Sequence, residues 1–202
     1  MKVALTGGIA CGKSLLSNFL RELGVETIDA DDVVHELIPD PAERRRIAAE
    51  VFADPEKRRA LEAKIHPLVK ERIDQWFNGT NGTDATNGTS ACLGSPIGPG
   101  GRGCLGGPVR VAIIPLLFEA HWEKNFDIIC CVVSSRAKQI ERMMTTRGMT
   151  LAEAEARLAA QMPVEEKARR SQYVIRNDGT AEELRAEAQK LVDTLCASAS
   201  LR

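Results

Sequence analysis

The stretch GGIACGKS, residues 7–14, follows a short apolar run and decides the fold that we expect. Gly7, four further residues and then Gly12-Lys13-Ser14 have the spacing of a phosphate-binding loop. Residues without a bulky Cβ let backbone N–H groups converge on phosphate oxygens, and a helix beginning near Lys13 adds the positive end of its dipole. Lys13 would reach the β- and γ-phosphates, and the Ser14 hydroxyl would ligate Mg²⁺. The alternative, a glycine turn that binds nothing, is disfavoured because strand, loop and helix follow in the required order.

The composition is that of a soluble globular protein and excludes several functional classes. The 202 residues include 27 basic and 28 acidic ones, a net charge of −1, so no general attraction to nucleic acid or to an anionic membrane is expected. The sequence shows neither a secretory signal nor an apolar run long enough to span a bilayer. The six cysteines form no C-x-x-C pair, which predicts reduced thiols. We therefore expect a cytoplasmic monomer or small homo-oligomer that binds neither nucleic acid nor membranes.

Strand-like runs alternate with helical segments along the chain. The runs that we interpret as strands are KVALT, VETIDADD, VRVAIIPLLFE, FDIICCVVSS and YVIRND. Apolar residues at helical spacing follow Lys13, and further helices are expected in the charge-rich sequence up to Phe77. Pro67 is expected to bend or break the last of these helices. Two later helices are expected at 136–147 and 150–162, the second opened by a capping box. This alternation predicts a three-layer α/β fold with a mainly parallel sheet. With the GGIACGKS loop after its first strand, the predicted fold resembles that of P-loop NTPases.

Residues 78–108 interrupt this alternation. They hold ten of the sixteen glycines and only two charged residues, so they cannot bury a core. We expect a glycine-rich disordered insertion; a mobile lid or a partner-binding loop is the alternative.

Two further groups of charged residues point to phosphoryl transfer. The acids DADD, residues 29–32, follow the second strand, where a carboxylate could accept a proton from a substrate hydroxyl or hold the metal through water. The alternative for Asp31 or Asp32 is the N-cap of the next helix. Arginines at 142, 147 and 157 lie on two predicted helices joined at Gly148, an arrangement that suits a lid over ATP. A solvated surface is the alternative for each of them.

Six segments, in order, resemble the dephospho-coenzyme A kinase family: LTGGIACGKS, IDADDVVHEL, KIHPLV, IPLLFE, QIERMMTTRGMTLAEAEARLAAQMP and YVIRNDG. The resemblance implies transfer of the ATP γ-phosphoryl group to the ribose 3′-hydroxyl of dephospho-coenzyme A, the last step of coenzyme A biosynthesis, with Mg²⁺ as cofactor. It implies a single P-loop kinase domain over 1–202, with a helical acceptor-binding region at 32–77 and a lid at 136–169.

The resemblance also implies roles for individual residues. Lys13, Asp31 and Arg142 would be catalytic, and Ser14 would hold the metal. The acceptor would be bound by Asp31, His66, Leu116, Leu117, Phe118 and Glu119. ATP would be bound by Gly8, Ile9, Ala10, Cys11, Gly12, Lys13, Ser14, Leu15, Arg142, Arg147, Asn177 and Gly179, the last two beside the adenine.

Some features leave other interpretations open. His66 by itself could be a helix-capping or core histidine. Ala10 and Cys11 stand where the family usually has Gly-Ser, and an exposed Cys11 would be open to oxidation or alkylation. The segment from Asp31 to His66 is also shorter than the family usually has. The alternative functions are another P-loop small-metabolite kinase, or a nucleotide-binding regulator with weak or no kinase activity.

Overall fold

The structure is a computed structural model that describes residues 1–53, 55–79 and 109–199. The described residues divide between two compact units, Met1–Thr27 with Asn87–Arg202 and Ile28–Thr86. The insertion expected at 78–108 lies outside the described residues, except for 78–79, which form a turn.

A five-stranded sheet confirms the α/β fold. The strands are β1 Val3–Gly7, β2 Glu26–Asp29, β3 Arg110–Ile113, β4 Ile128–Val133 and β5 Tyr173–Arg176, in the order β2-β3-β1-β4-β5. Strand β1 pairs in parallel with β3 and with β4, and β4 pairs in parallel with β5. All residues of β1 and β4 are buried, as expected for the central strands of a parallel sheet. Gly7, the last residue of β1, pairs with Val132 of β4 where the GGIACGKS loop begins.

Eight helices accompany these strands in the described ranges. They are α1 Lys13–Glu22, α2 Ala30–Leu37, α3 Pro41–Ala53, α4 Pro55–Phe77, α5 Arg136–Arg147, α6 Leu151–Ala159, α7 Val164–Arg169 and α8 Ala181–Ala199. Helix α1 contributes Leu16 and Leu20 to the core, and α8 contributes Leu184 and Leu191 to the same cluster. These apolar positions recur at helical spacing, so both helices present one apolar stripe to the core.

The unit Ile28–Thr86 is built from α2, α3 and α4, with α4 contacting the other two helices. Its buried side chains include Val33, Val69 and Ile73. Of the two outcomes expected at Pro67, a bend or a break, the break does not occur, because α4 continues through it. Proline removes one helical hydrogen bond, but its fixed φ of about −65° is compatible with a helix, so the turns on either side can remain.

Two other expectations are corrected. The strand expected over VRVAIIPLLFE ends at Ile113, and turns begin at Pro115, which has no N–H to donate to a sheet. The thiols of Cys11, Cys130 and Cys131 are free as expected, whereas Cys196 is disulfide-bonded. Sequence spacing did not indicate that bond, because a disulfide requires proximity in the fold rather than along the chain.

None of the helices in the described ranges is long and apolar enough to cross a membrane.

Candidate functional site

The glycine loop connects the end of β1 at Gly7 directly to the start of α1 at Lys13. Gly12 has a φ of 93°, in the left-handed region, and a Cβ there would lie 2.1 Å from Asn177 Nδ2. A Cβ on Gly7 would lie 2.3 Å from the Val132 carbonyl oxygen. Any larger residue at these two positions would push the loop away from the sheet, so the tight turn depends on both glycines.

The positive groups of the loop are at the start of α1. Lys13 Nζ donates to the carbonyl oxygens of Gly7, at 3.1 Å, and Gly8, at 2.8 Å. The first turn of α1 contains no acidic residue, so nothing there neutralises the positive end of the helix dipole. Ser14 and Leu15 follow in the same turn, Leu15 with 39% of its side chain exposed. The loop end therefore offers an ammonium group, a hydroxyl and a helix N-terminus to an anion.

Three side chains, from α5 and from the segment after β5, donate hydrogen bonds to the next carbonyl groups of the loop. Gln139 Nε2 donates to the Ile9 oxygen at 2.7 Å, and Arg142 Nη1 donates to the Ala10 oxygen at 3.3 Å. Asn177 Nδ2 donates to the Cys11 oxygen at 2.9 Å. A peptide's N–H points opposite to its C=O, so these contacts direct the N–H groups of Ala10 and Gly12 away from the three side chains. The Cys11 N–H donates within the loop, to the Gly8 carbonyl at 3.3 Å.

The predicted lid arginines lie in different surroundings. Arg142 also donates to Ser134 Oγ at 2.9 Å and to the Asn177 carbonyl at 2.8 Å. Its guanidinium is thus placed against the phosphate loop. Arg147 is exposed at the last position of α5, before Gly148. The structure therefore brings Arg142, but not Arg147, to the loop.

Asn177 and Gly179 follow β5. Asn177 is 5% exposed, and its side chain is directed at the Cys11 carbonyl, so its contact in this structure is with the loop. Gly179 lies in the connection between β5 and α8. Between them, Asp178 accepts a hydrogen bond from the Ser135 N–H at 2.6 Å, and this bond lowers the pKa of the Asp178 carboxyl. The connection is thereby joined to the start of α5.

Cys11 does not meet the condition of exposure under which it would be open to oxidation or alkylation. Cys11 is fully buried and its Sγ contacts Gln139 Nε2 at 3.2 Å. Burial raises the pKa of the Cys11 thiol, and the opposing effect of the Lys13 charge is smaller. The side chain at position 11 points into the core because the loop's backbone, rather than its side chains, faces outwards. Cys11 is therefore a core residue whose backbone belongs to the loop.

Asp31 and His66, the predicted acceptor residues of the Ile28–Thr86 unit, occupy helices α2 and α4. The N-cap of α2 is Asp29, whose carboxylate accepts from the Asp31 N–H at 2.9 Å, so the capping alternative for Asp31 and Asp32 is wrong. The Asp31 side chain is exposed in the first turn. His66 is half-buried in the interior of α4, which excludes a helix-capping role.

The predicted acceptor residues after β3 divide between surface and interior. Leu116 is 38% exposed, whereas Leu117 and Phe118 are buried. Glu119 Oε1 lies 2.8 Å from Nζ of Lys167, a fully buried lysine on α7, and also accepts the Met162 N–H at 3.1 Å. Glu119 therefore connects the turn after β3, residues 115–121, to α7 and to Met162 just before its start.

Sequence reasoning missed Gln139 and Lys167. A signal existed for Gln139, because it precedes Arg142 by three residues and both therefore lie on one face of α5. Lys167 had no local signal, since its partners Glu119 and the Pro115 carbonyl, 2.9 Å away, come from a distant segment.

Comparison with known proteins identifies the family to which the chain is similar. The sequence profile of the dephospho-CoA kinase family matches residues 1–43 and 105–183. A dephospho-CoA kinase from Synechococcus sp. (strain JA-3-3Ab) is 34% identical over 93% of this chain and 90% of its own length. A crystal structure from Thermus thermophilus has a TM-score of 0.70 and 29% identity, covering 96% of this chain and 97% of that one. Dephospho-CoA kinase from Campylobacter jejuni, at 22% identity, has the same fold, with a TM-score of 0.64 over 98% of this chain and 99% of that one. The profile leaves out the shortened helical segment and most of the insertion, but it includes the phosphate loop, Asp31, Arg142 and Asn177. This chain therefore belongs to the dephospho-CoA kinase family.

Proposed function

We propose that this protein phosphorylates the ribose 3′-hydroxyl of dephospho-coenzyme A with ATP, giving coenzyme A and ADP. The observation that carries the proposal is the phosphate loop at residues 7–14, in a chain of this family. In that loop the carbonyl groups are bound by side chains, while Lys13 and the α1 N-terminus supply positive charge. The catalytic effect of such a loop is mostly positioning and charge stabilisation.

On the ATP side, Lys13 would exchange its two carbonyl partners for phosphate oxygens. A charge-assisted hydrogen bond to phosphate is stronger than one to a neutral carbonyl, so the exchange is favourable when ATP arrives. Arg142 lies against the Ala10 carbonyl and can add positive charge near the transferring group. Arg147, exposed at the end of α5, would need movement of the lid to take part.

On the acceptor side, Asp31 would orient the 3′-hydroxyl or accept its proton. Its side chain is available for this because Asp29 caps the helix instead. The roles of His66, Leu116 and Glu119 in holding dephospho-coenzyme A are carried over from the family motifs. For Leu117 and Phe118 we propose support of the turn from the interior, since both are buried.

The residues present fit a magnesium ion that arrives with ATP. Mg²⁺ keeps several waters and is bound by few protein groups together with substrate phosphates, so one hydroxyl, that of Ser14, is a sufficient protein ligand. When bound, the ion would neutralise charge on the β- and γ-phosphates. We place the protein in the cytoplasm, as a monomer or small homo-oligomer.

The test is ADP release from Mg-ATP with dephospho-coenzyme A, adenosine, shikimate or no acceptor. Release that requires dephospho-coenzyme A, with coenzyme A as the product, is the expected result. Release with another acceptor would indicate a different small-metabolite kinase. ATP binding without any acceptor-dependent release would indicate a regulator.

A further inference from the structure

Gln139 is a buried polar side chain beside the phosphate loop, and the family motifs gave it no role. It is 3% exposed on α5. Its Nε2 donates to the Ile9 carbonyl at 2.7 Å and contacts Cys11 Sγ at 3.2 Å. A Cβ added to Gly8 would lie 2.6 Å from the same nitrogen. The Gln139 amide is therefore packed directly against three residues of the loop, Gly8, Ile9 and Cys11.

The contact constrains the direction of the loop's peptide groups. Gln139 fixes the carbonyl of Ile9, and Arg142 and Asn177 fix the next two carbonyls. If the Ile9 carbonyl were released, its peptide unit could rotate, and the N–H of Ala10 would no longer be held in one direction. A loop that must be ordered when the nucleotide arrives loses affinity by that ordering cost.

Among the three donors, Gln139 is the one whose removal is most informative. Arg142 also binds Ser134, and the backbone of Asn177 accepts from Arg142 and from Ser134. Changing Arg142 would also break its contacts with Ser134 and with the Asn177 carbonyl, and Asn177 lies in the segment that these contacts hold. Within the described residues the side-chain hydrogen bonds of Gln139 are both with the loop, so an effect of its substitution reports on the loop.

We infer that Gln139 is a positioning residue for nucleotide binding, because its amide holds the phosphate loop in the conformation that directs backbone N–H groups to the phosphates. The inference rests on the proposed nucleotide-binding function of that loop. It makes the donor, rather than the size of the side chain, the essential property of residue 139.

The test compares Gln139→Glu with Gln172→Glu in the full chain. Glutamate at 139 keeps the shape but places a carboxylate oxygen against the Ile9 carbonyl, whereas Gln172 uses its Oε1 as an acceptor for the Ile129 N–H at 2.7 Å, which glutamate retains. Amide hydrogen exchange of residues 8–15 is measured without ligand, together with the Kd for ATP and the KM for dephospho-coenzyme A. Gln139→Met, which removes the donor without adding charge, is measured in parallel, so that loss of the donor is separated from repulsion between a carboxylate and ATP.

For Gln139→Glu we expect faster loop exchange and an ATP Kd raised by about tenfold, with the KM for dephospho-coenzyme A unchanged. Gln172→Glu should change none of these. Loop exchange or ATP binding equal to wild type in the residue 139 variant would overturn the inference. Because exchange and ATP binding need no acceptor, these results hold even if dephospho-coenzyme A proves to be the wrong substrate, which would refute only the proposed function.

Discussion

At the scale of single residues, the position of the helix cap decides how Asp31 can be used. An Asp side chain that caps a helix accepts hydrogen bonds from backbone N–H groups and is not free to bind a substrate. In α2 the N-cap is Asp29. Asp31 is left with an exposed carboxylate in the first turn. The same run of acids therefore contains one residue that shapes the helix and another that is available to a substrate.

We expect Asp31→Asn to lower kcat by about 10²–10⁴-fold, the usual contribution of a general base, with little change in the ATP Kd. Steady-state kinetics and direct ATP binding provide the measurement. Asp32→Asn is the matched control, since Asp32 is also exposed in the first turn of α2. An equal loss for both variants, or a loss of ATP binding as large as the loss of kcat, would show that Asp31 acts on the structure.

Cys11 should not react with alkylating reagents in the folded protein. The thiolate is the reactive form, and burial both raises the pKa of this thiol and blocks access to it. Iodoacetamide labelling at pH 7.5, mapped by mass spectrometry, should therefore leave Cys11 unmodified until a denaturant is added. Labelling of the native protein at a rate typical of a free thiol would contradict this placement.

These residues also show what the sequence can and cannot predict about the site. The loop and its lysine were predictable because a phosphate-binding turn requires fixed spacing along the chain. The direction of the Cys11 side chain was not, because it depends on contacts with Gln139 and the core. Likewise, three acids in a row permit several caps, and only the backbone of α2 selects Asp29.

At the scale of elements, the turn after β3 and helix α7 are joined by a buried ion pair. Lys167 is fully buried and lies between Glu119 and the Pro115 carbonyl, while Glu119 also accepts the Met162 N–H just before α7. Removing one partner leaves the other charge poorly solvated, which is more destabilising than replacing both. The Glu119 side chain is 24% exposed, and that of Lys167 is fully buried. The pair therefore fixes the start of α7 relative to the turn.

We expect Lys167→Met to lower the free energy of unfolding by about 3 kcal/mol, the lower end of the range for breaking a buried pair. Adding Glu119→Gln should recover part of this loss, because the uncompensated carboxylate is then removed. Urea unfolding of the wild type, both single variants and the double variant measures the coupling. Strictly additive effects would show that the two charges do not depend on each other.

Element boundaries followed the sequence where local signals were strong. Helix α5 occupies 136–147 as expected, and the capping box predicted at Thr150 and Glu153 is present at the start of α6. The boundary of β3 and the continuity of α4 were not predicted, since both depend on prolines that can be accommodated in more than one way. The Lys167–Glu119 pair depends on the tertiary fold, which sequence periodicity does not report.

At the scale of the whole molecule, the loop couples nucleotide binding to stability. The phosphate loop connects the central strand β1 to α1, and α1 packs with α8 in the same core cluster. Since unfolding destroys a site assembled from the loop, α5 and the segment after β5, any ligand of that site stabilises the fold by mass action. Thermal stability is therefore a measure of nucleotide binding that does not require an acceptor.

We expect Mg-ATP at about 100 times its Kd to stabilise the wild type by about 2.7 kcal/mol, which raises Tm by roughly 5–10 °C for a chain of this size. Lys13→Ala should lose most of this shift while its Tm without ligand stays close to that of the wild type, because the carbonyl groups that Lys13 Nζ contacts belong to the loop. Lys190→Ala, which removes an exposed lysine on α8, should keep the full shift. Differential scanning fluorimetry across an ATP titration measures all three proteins. A full ATP shift in Lys13→Ala would contradict the role of Lys13 in phosphate binding. A large loss of Tm without ligand would instead show that the Lys13 contacts with the Gly7 and Gly8 carbonyls stabilise the fold.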